Sequence, residues 1–287
     1  MTETQRIDNG QAALWNGPSA RAWIGSQTVL DAMFKLFEDL LVDAVRDGHG
    51  RQVLDIGCGT GATTLALARM LGERGRVVGA DISEPMIAVA RERAAHEHAA
   101  AQFVCADVQA HAFEPAAFDT IVSRFGVMFF DDPVRAFANL RGAATDDATL
   151  RVIAWRGPAD NPFMTTAERA AAPLLPDLPP RRLDGPGQFA FADRERVQSI
   201  LDASGWADID VVPIDIECTL PEAELIGCFT RLGPLGLFLQ NADEQTRTQI
   251  VDTVRAAYDP YVHGTQVRYN AACWMIVARA SAKARVS

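Results

Sequence analysis

The sequence predicts a doubly wound α/β fold with a mostly parallel, seven-stranded sheet. Two observations lead to this prediction. Short apolar runs that suit buried strands alternate with helical segments from residue 53 to residue 155. The first run, VLDI at 53–56, leads into the glycine-rich turn GCGTG at 57–61 and then into a helical segment. Glycines in such a turn let a ligand approach the backbone closely, so we expect a nucleotide-like cofactor at this edge of the sheet.

The composition is that of a globular protein and narrows the possible partners. The chain has 287 residues, of which 48% are hydrophobic and 22% are charged, and its net charge is −10. This acidic excess disfavours nucleic acid as a partner, so we expect a small-molecule substrate. The five cysteines form no C-x-x-C pair and no cluster with zinc spacing, so we expect no metal site. We find no signal peptide and no apolar run of membrane-spanning length, which favours a cytoplasmic protein.

Residues 1–46 are predicted to form an N-terminal arm and a helical lid, ahead of a main domain at 47–287. Apolar residues recur with helical spacing between residues 27 and 46, which indicates an amphipathic helix. Trp15 and Trp23 precede this helix and flank a Gly-Pro turn. They either anchor the arm by packing or belong to a lid over the substrate, and Trp15 is our candidate lining residue.

The first three predicted strands each bring an acid to the same edge of the sheet. Asp55 lies in the first strand, Asp81 ends the second and Asp107 ends the third. Asp81 can accept hydrogen bonds from both ribose hydroxyls of a nucleotide, and Asp107 can accept one from an adenine amino group. After the second strand, Ser83 is expected to cap a helix at 84–97. The glycine turn alone fits a dinucleotide as well as another adenosine cofactor.

The fourth predicted strand, at 118–123, is followed by the apolar segment 124–130. Ligands of open α/β sheets bind outside the carboxyl ends of the strands, so we expect this segment to border the ligand. The candidates for the pocket are Arg124, Phe125 and Met128. Val127 and Phe130 can equally belong to the core.

Two substrate-cover insertions are predicted in the late part of the chain, near 157–191 and 221–260. The first is rich in proline, which interrupts helices and strands, and it contains one helical candidate at 165–172. Its candidate substrate contacts are Asn161, Phe163 and Phe189. The second insertion has helical patterns, and its large apolar residues can form a substrate wall, a dimer surface or core: Phe229, Leu232, Leu235, Leu237 and Phe238.

The remaining predicted elements are helices at 132–141 and 193–203 and strands at 150–155, 208–220 and 266–278. Pro213 lies inside the strand at 208–220. Proline cannot donate a ladder hydrogen bond, so this residue indicates a bulge or an edge position.

Four segments together resemble the successive motifs of class I S-adenosylmethionine-dependent methyltransferases. They are VLDIGCGTG at 53–61, GADISEPMI at 79–87, FVCADV at 103–108 and FDTIVSRFGVMFF at 118–130. The second and fourth are similar to the small-molecule group that includes ubiquinone and menaquinone C-methyltransferases. The resemblance implies a Rossmann-like fold and S-adenosylmethionine as the cofactor.

The resemblance also implies which residues bind that cofactor. The methionine end would be held by Asp55, Gly57, Cys58, Gly59, Gly61 and the backbone of Ser123. The ribose and adenine would be bound by Asp81, Ile82, Met86, Asp107 and Val108. Met86 can equally be a core residue, and Cys58 is read as a small side chain that the loop tolerates.

The expected activity is methyl transfer to a small, partly apolar acceptor through a carbon, oxygen or nitrogen nucleophile. Catalysis is expected to come mainly from alignment in a dry pocket. An oxygen nucleophile usually needs a general base, for which His263 is the first candidate and His111 the second, although His263 can also be a surface or core residue. The alternatives are an NAD(P)-dependent oxidoreductase, which gives Asp107 no role, and a non-catalytic S-adenosylmethionine-binding protein.

Overall fold

A computed structural model of the protein describes residues 10–175 and 185–280, and within them eight strands form one sheet. The strands are β1 (Gln52–Ile56), β2 (Arg76–Asp81), β3 (Ala101–Cys105), β4 (Phe118–Arg124), β5 (Ala144–Trp155), β6 (Ala207–Pro221), β7 (Val262–His263) and β8 (Gln266–Arg279). Their order is β3-β2-β1-β4-β5-β8-β6, and the short β7 pairs with β8. Neighbours from β3 to β5 are parallel, whereas β8 is antiparallel to β5 and β6. The doubly wound, mostly parallel sheet is confirmed, with β7 as an unpredicted addition to its seven main strands.

The helices precede and separate these strands. They are α1 (Gly10–Trp15), α2 (Pro18–Gly25), α3 (Gln27–Met33), α4 (Lys35–Asp47), α5 (Ala62–Leu71), α6 (Glu84–Glu97), α7 (Pro133–Ala143), α8 (Pro162–Ala171), α9 (Arg194–Ala203), α10 (Glu222–Arg231), α11 (Gly233–Leu239) and α12 (Glu244–Ala257). Short 3₁₀ turns lie at Gly72–Arg74, Val127–Phe129 and Asp259–Tyr261.

Both faces of the central strands are buried, in two separate cores. Val53 and Val77 belong to a small core that also contains residues of α4 and α5. The next residues along the same strands, Leu54 and Val78, belong to the larger core on the other face. Side chains alternate between the faces of a strand, so a strand covered on both sides is apolar throughout. This explains why the central strands appear in the sequence as continuous apolar runs.

The predicted single helix at 27–46 is two helices, α3 and α4, separated by Phe34. The backbone of Phe34 leaves the helical region, at φ −102° and ψ 15°. Its carbonyl accepts a hydrogen bond from the Arg124 guanidinium (3.2 Å), and its ring packs edge-on against Phe125 with the ring centres 5.2 Å apart. These contacts come from distant parts of the chain, so helical periodicity alone does not reveal the break.

In the first insertion, helix α8 begins at Pro162, three positions before the predicted start at residue 165. Proline is favoured in the first turn of a helix, where its missing N–H costs nothing. The predicted contacts Asn161 and Phe189 are both buried. The Asn161 amide donates to the carbonyls of Arg156, Gly157 and Ala272 and accepts from the Ala272 N–H. Asn161 therefore secures the loop to β8, which corrects its interpretation as a substrate contact.

Strands β6 and β8 agree with the predicted boundaries to within one residue, whereas β5 begins at Ala144, six residues before the predicted start. Strand β6 lies at the end of the strand order, so Pro213 occupies an edge strand as expected. Parts of three predictions lie outside the described residues: the start of the N-terminal arm at 1–9, the middle of the first insertion at 176–184 and the end of the main domain at 281–287. In the described part of the chain, every helix is too short or too polar to cross a bilayer.

Candidate active site

The glycine-rich loop leaves β1 in a conformation that requires glycine. Gly57 has a φ of +64°, and a Cβ added there would lie 2.5 Å from the Cα of Gly126 in the turn after β4. The Gly57 N–H donates to the Ala80 carbonyl at the end of β2 (2.8 Å). Left-handed backbone and a close approach of two chain segments both exclude a side chain. The loop is thereby held between the ends of β2 and β4.

Asp81 holds the same loop from the end of β2. Its Oδ2 accepts from the Gly59 N–H (2.8 Å) and its Oδ1 accepts from the Ser83 N–H (2.9 Å). Burial raises the pKa of Asp81, while these two backbone donors oppose the shift. A carboxylate has about four acceptor positions, so roughly two remain for a ligand. Asp81 is therefore equipped to bind a diol without giving up its structural bonds.

Asp55 lies beneath the loop and is almost completely buried. Its Oδ2 accepts a short hydrogen bond from the Thr64 hydroxyl (2.6 Å). Burial raises the pKa of Asp55 from 3.8 to about 7, while the Thr64 bond and the Arg124 cation act in the opposite direction. The carboxyl group thus changes its charge close to neutral pH, inside the wall of a ligand cavity.

That cavity, which we call the strand-end cavity, lies at the carboxyl ends of β1, β2 and β4. Predicted site residues that line it are Trp15, Asp55, Gly57, Cys58, Gly59, Asp81, Ile82, Met86, Asp107, Val108, Arg124 and Phe125. Further lining residues that the sequence did not single out include Gln11, Thr60, Thr63, Gln109 and Phe129. The structure therefore brings most of the predicted cofactor residues around one space.

Two predicted cofactor residues lie outside this lining. Gly61 has a φ of +86°, and a Cβ there would lie 3.1 Å from Ala90 and from the Phe103 ring, so its role is to let α5 pack closely. Ser123 is completely buried, and its hydroxyl donates to the Ile56 carbonyl (2.7 Å) and accepts from the Gly126 N–H (3.2 Å). Both residues shape the loop from behind, and their assignment to the methionine end of the cofactor stays a prediction.

A second space, which we call the apolar cavity, adjoins the first and has a volume of about 480 Å³. Met128 and Phe163, predicted as substrate-lining residues, lie in its wall. So do Phe229, Leu232, Leu235 and Leu237 of the second insertion, which favours their interpretation as a substrate wall. Arg124 was predicted to line the substrate site, but it faces the strand-end cavity instead. Small-molecule sites typically have volumes of roughly 300–1,000 Å³, and the volume of the apolar cavity falls in this range.

Five residues line both cavities, and we call this shared wall the junction: Gln11, Trp15, Trp23, Phe125 and Phe129. Trp15 packs edge-on against Phe129, with ring centres 5.0 Å apart, and against Trp23, at 6.3 Å. Phe125 stacks on Trp155 at 4.7 Å. The junction is thus a largely aromatic boundary between the two spaces.

The N-terminal arm supplies three of the five junction residues and is attached to the cofactor edge. The Asn16 amide donates to the Ile82 carbonyl (3.1 Å) and accepts from the Glu84 N–H (2.9 Å). Arg93 of α6 forms an ion pair with Asp31 of α3 (2.9 Å). These contacts connect the arm directly to the segment that follows Asp81. They are long-range side-chain contacts, so periodicity could not have placed Gln11 or Trp23 at the junction.

The candidate bases lie away from both cavities. His263 is exposed on the two-residue strand β7, which forms a hairpin with the start of β8. His111 packs edge-on against Phe113, and neither histidine lines a cavity. The proposal that His263 acts as the general base does not agree with this position, because its ring has no contact with either ligand space.

Comparisons with known proteins agree with this geometry. Residues 53–146 match the family model described as "Methyltransferase domain". The ubiquinone/menaquinone biosynthesis C-methyltransferase UbiE of Cronobacter sakazakii is 22% identical over 209 residues, which cover 69% of this chain and 83% of that protein. UbiE of a Marinomonas species is 30% identical over 131 residues, covering 45% of this chain and 52% of that protein.

Among solved structures, a SAM-dependent methyltransferase from Thermotoga maritima has the same fold. Its TM-score is 0.52 at 13% identity, and the match covers 92% of this chain and all of that one. The matched domain contains all three strand-end acids and the glycine loop between them. Residues 53–146 thus match a methyltransferase domain, and these likenesses together support a class I S-adenosylmethionine-dependent methyltransferase that acts on a small molecule.

Proposed function

We propose that this enzyme methylates a small, partly apolar acceptor that binds in the apolar cavity and meets the methyl group at the junction. The observation that carries the proposal is the shared wall of the two cavities. A cofactor in the strand-end cavity and an acceptor in the apolar cavity would meet along this wall, which is where the two linings overlap among the described residues. Most of the other residues around the acceptor space are apolar, so the body of the acceptor should be apolar as well.

The strand-end cavity fits S-adenosylmethionine in its chemistry. We assign the ribose to Asp81, whose remaining acceptor positions suit two hydroxyls. The adenine is assigned to the apolar side chains of Ile82, Met86 and Val108, with Asp107 accepting from its amino group. The methionine end is assigned to Asp55 and the loop of Gly57, Cys58 and Gly59.

Bound S-adenosylmethionine supplies a methyl group on a cationic sulfur. When a nucleophile attacks the methyl group, the sulfur leaves as a neutral thioether. None of the three acids belongs to the junction, so no carboxylate is placed there to stabilise the cation before transfer. The aromatic side chains of the junction exclude water and restrict the approach of the nucleophile. Alignment of this kind can contribute about 7–11 kcal/mol toward lowering a barrier. The chain's contribution to catalysis is therefore orientation and desolvation.

The acceptor atom in this proposal is carbon, oxygen or nitrogen. The two UbiE proteins named above are C-methyltransferases, which supports an electron-rich carbon as one of these atoms. The oxidoreductase alternative loses support, because Asp107 and the segment after β4 both line the cavities. We further propose a cytoplasmic enzyme that acts on no nucleic acid, consistent with its net charge of −10. We also propose that the enzyme forms a homodimer, because large apolar residues such as Leu36 and Ile226 are exposed on its surface.

The proposal can be tested by filling the apolar cavity. Ala167 of α8 is buried and lines that cavity but not the strand-end cavity. Methyl transfer from labelled S-adenosylmethionine is first measured against a panel of alkylphenols, aryl amines and polar metabolites. The larger side chain of Ala167→Phe would occupy space that the apolar acceptor needs. With the best acceptor it should lower kcat/KM at least about tenfold, which corresponds to about 1.4 kcal/mol of lost hydrophobic contact.

The control is the same substitution at Ala203, which is exposed at the end of α9. Ala203→Phe should leave kcat/KM unchanged, and both variants should bind S-adenosylhomocysteine like the wild type. Turnover restricted to polar acceptors, or full activity of Ala167→Phe, would contradict the assignment of the acceptor site.

A further inference from the structure

The junction contains one side chain that is not aromatic. Trp15, Trp23, Phe125 and Phe129 present rings to both cavities, and Gln11 of α1 presents an amide among them. Water is largely excluded by such rings, so a polar group placed between them must find its partner within the site. A nucleophile that approaches the strand-end cavity from the apolar cavity does so along the wall to which Gln11 belongs.

The Gln11 side-chain oxygen has an unused acceptor position. Its Oε1 is buried and finds no hydrogen-bond partner among the residues that the structure describes. The acids of the neighbouring cavity are different, because Asp55 accepts from Thr64 and Asp81 accepts from Gly59 and Ser83. Native proteins rarely leave a buried carbonyl oxygen without a donor. The orphaned oxygen at the junction therefore points to a donor that a ligand brings.

The cofactor does not supply this donor in the arrangement proposed above. Its adenine amino group and ribose hydroxyls would lie toward Asp107 and Asp81, and its amino-acid end would lie at the glycine loop. The methyl group is then the part that would face the junction. The donor must therefore belong to the acceptor molecule, close to the atom that receives the methyl group.

We infer that Gln11 is a positioning residue whose Oε1 accepts a hydrogen bond from an O–H or N–H group at, or next to, the methylated atom of the acceptor. This inference rests on the proposed function and narrows its substrate class. The acceptor is an apolar molecule with a hydrogen-bond donor at one end, of the alkylphenol or aryl-amine type. The hydrogen bond fixes that end at the junction, while the apolar remainder occupies the apolar cavity.

A matched pair of probes tests this assignment: 4-octylphenol, and 4-octylanisole, in which a methyl ether replaces the donor. Both are titrated into enzyme saturated with S-adenosylhomocysteine, and tryptophan fluorescence reports binding. Gln11→Met removes the acceptor oxygen and keeps an unbranched side chain of similar length. The matched control is Gln249→Met, on the exposed surface of α12.

The measured quantity is the ratio of the two dissociation constants, anisole over phenol. One neutral hydrogen bond should make this ratio about 3- to 10-fold larger in the wild type and in Gln249→Met than in Gln11→Met. S-adenosylhomocysteine affinity should be the same in all three proteins. A residue that only supports the fold would weaken both probes equally and leave the ratio unchanged.

An equal ratio in the wild type and Gln11→Met, or tighter binding of the anisole to the wild type, would overturn the role of Gln11 and leave the proposed function intact. A failure of both probes to bind the saturated wild type would instead contradict the apolar acceptor itself.

Discussion

Replacing Asp81 by alanine tests the assignment of the ribose and, with it, the orientation of the whole cofactor. Asp81 uses two acceptor positions on the N–H groups of Gly59 and Ser83, and about two remain. Hydrogen bonds to a charged group contribute about 1.5–3 kcal/mol each. Two such bonds to the ribose amount to about 3–6 kcal/mol, and each 1.4 kcal/mol is about tenfold in affinity. Asp81→Ala should therefore weaken S-adenosylhomocysteine binding by about 100-fold or more.

The variant also loses two backbone contacts, so a control must lose contacts of the same kind at a distance from the cavity. Asp119, at the start of β4, accepts from the N–H groups of Arg51 and Gln52 and lines neither cavity. Asp119→Ala should lower the unfolding temperature and leave the affinity unchanged. Isothermal titration and thermal unfolding of the wild type and both variants separate the two effects. An Asp81→Ala protein that is folded and binds within threefold of the wild type would refute the ribose assignment.

Two further predictions concern Asp55 and Asn161. Burial raises the pKa of Asp55 from 3.8 to about 7, so folded protein keeps a proton that unfolded protein releases, and the stability from this group falls as pH rises from about 4 to 7. Asp55→Asn removes this penalty, so above pH 7 its unfolding free energy should exceed that of the wild type by up to about 4 kcal/mol. The unfolding free energies of both proteins are measured from pH 5 to 8. A difference that does not change with pH would contradict the prediction. Asn161→Ala should cost about 2–4 kcal/mol of stability and leave 4-octylphenol binding unchanged, since the side-chain amide bonds to backbone groups of Arg156, Gly157 and Ala272. Weaker probe binding at unchanged stability would restore its substrate role.

The part of the site that the sequence predicts well depends on local patterns. The acids Asp55, Asp81 and Asp107 each stand at or near the end of an apolar run. Parallel pairing brings the carboxyl ends of these strands to one edge, so their convergence follows from pattern and topology together. The edge position of Pro213 was predictable for a similar reason, because one missing N–H restricts where a proline can pair.

The predicted residues that lie outside the cavity walls, and the wall residue that the sequence does not indicate, are placed by contacts between distant segments. The resemblance assigns Gly61 and Ser123 to the cofactor, and in the structure Gly61 lies close to the Phe103 ring while the Ser123 hydroxyl donates to the Ile56 carbonyl. His263 was singled out for its aromatic neighbours, and the hairpin with β8 carries it to the surface. Gln11 reaches the junction because the arm is fastened at Ile82 and Glu84, and no spacing within the arm records that contact.

The two cavities differ in where along the chain their walls are encoded. Apart from the residues of the arm, the walls of the strand-end cavity fall within residues 53–146, the stretch that matches the family model. The apolar cavity takes most of its wall from the arm, α8, α10 and α11, all outside that stretch. Substitutions that reshape acceptor choice can therefore accumulate in segments that bear little of the cofactor site. The acceptor of such an enzyme can therefore change during evolution while its methyl donor stays the same.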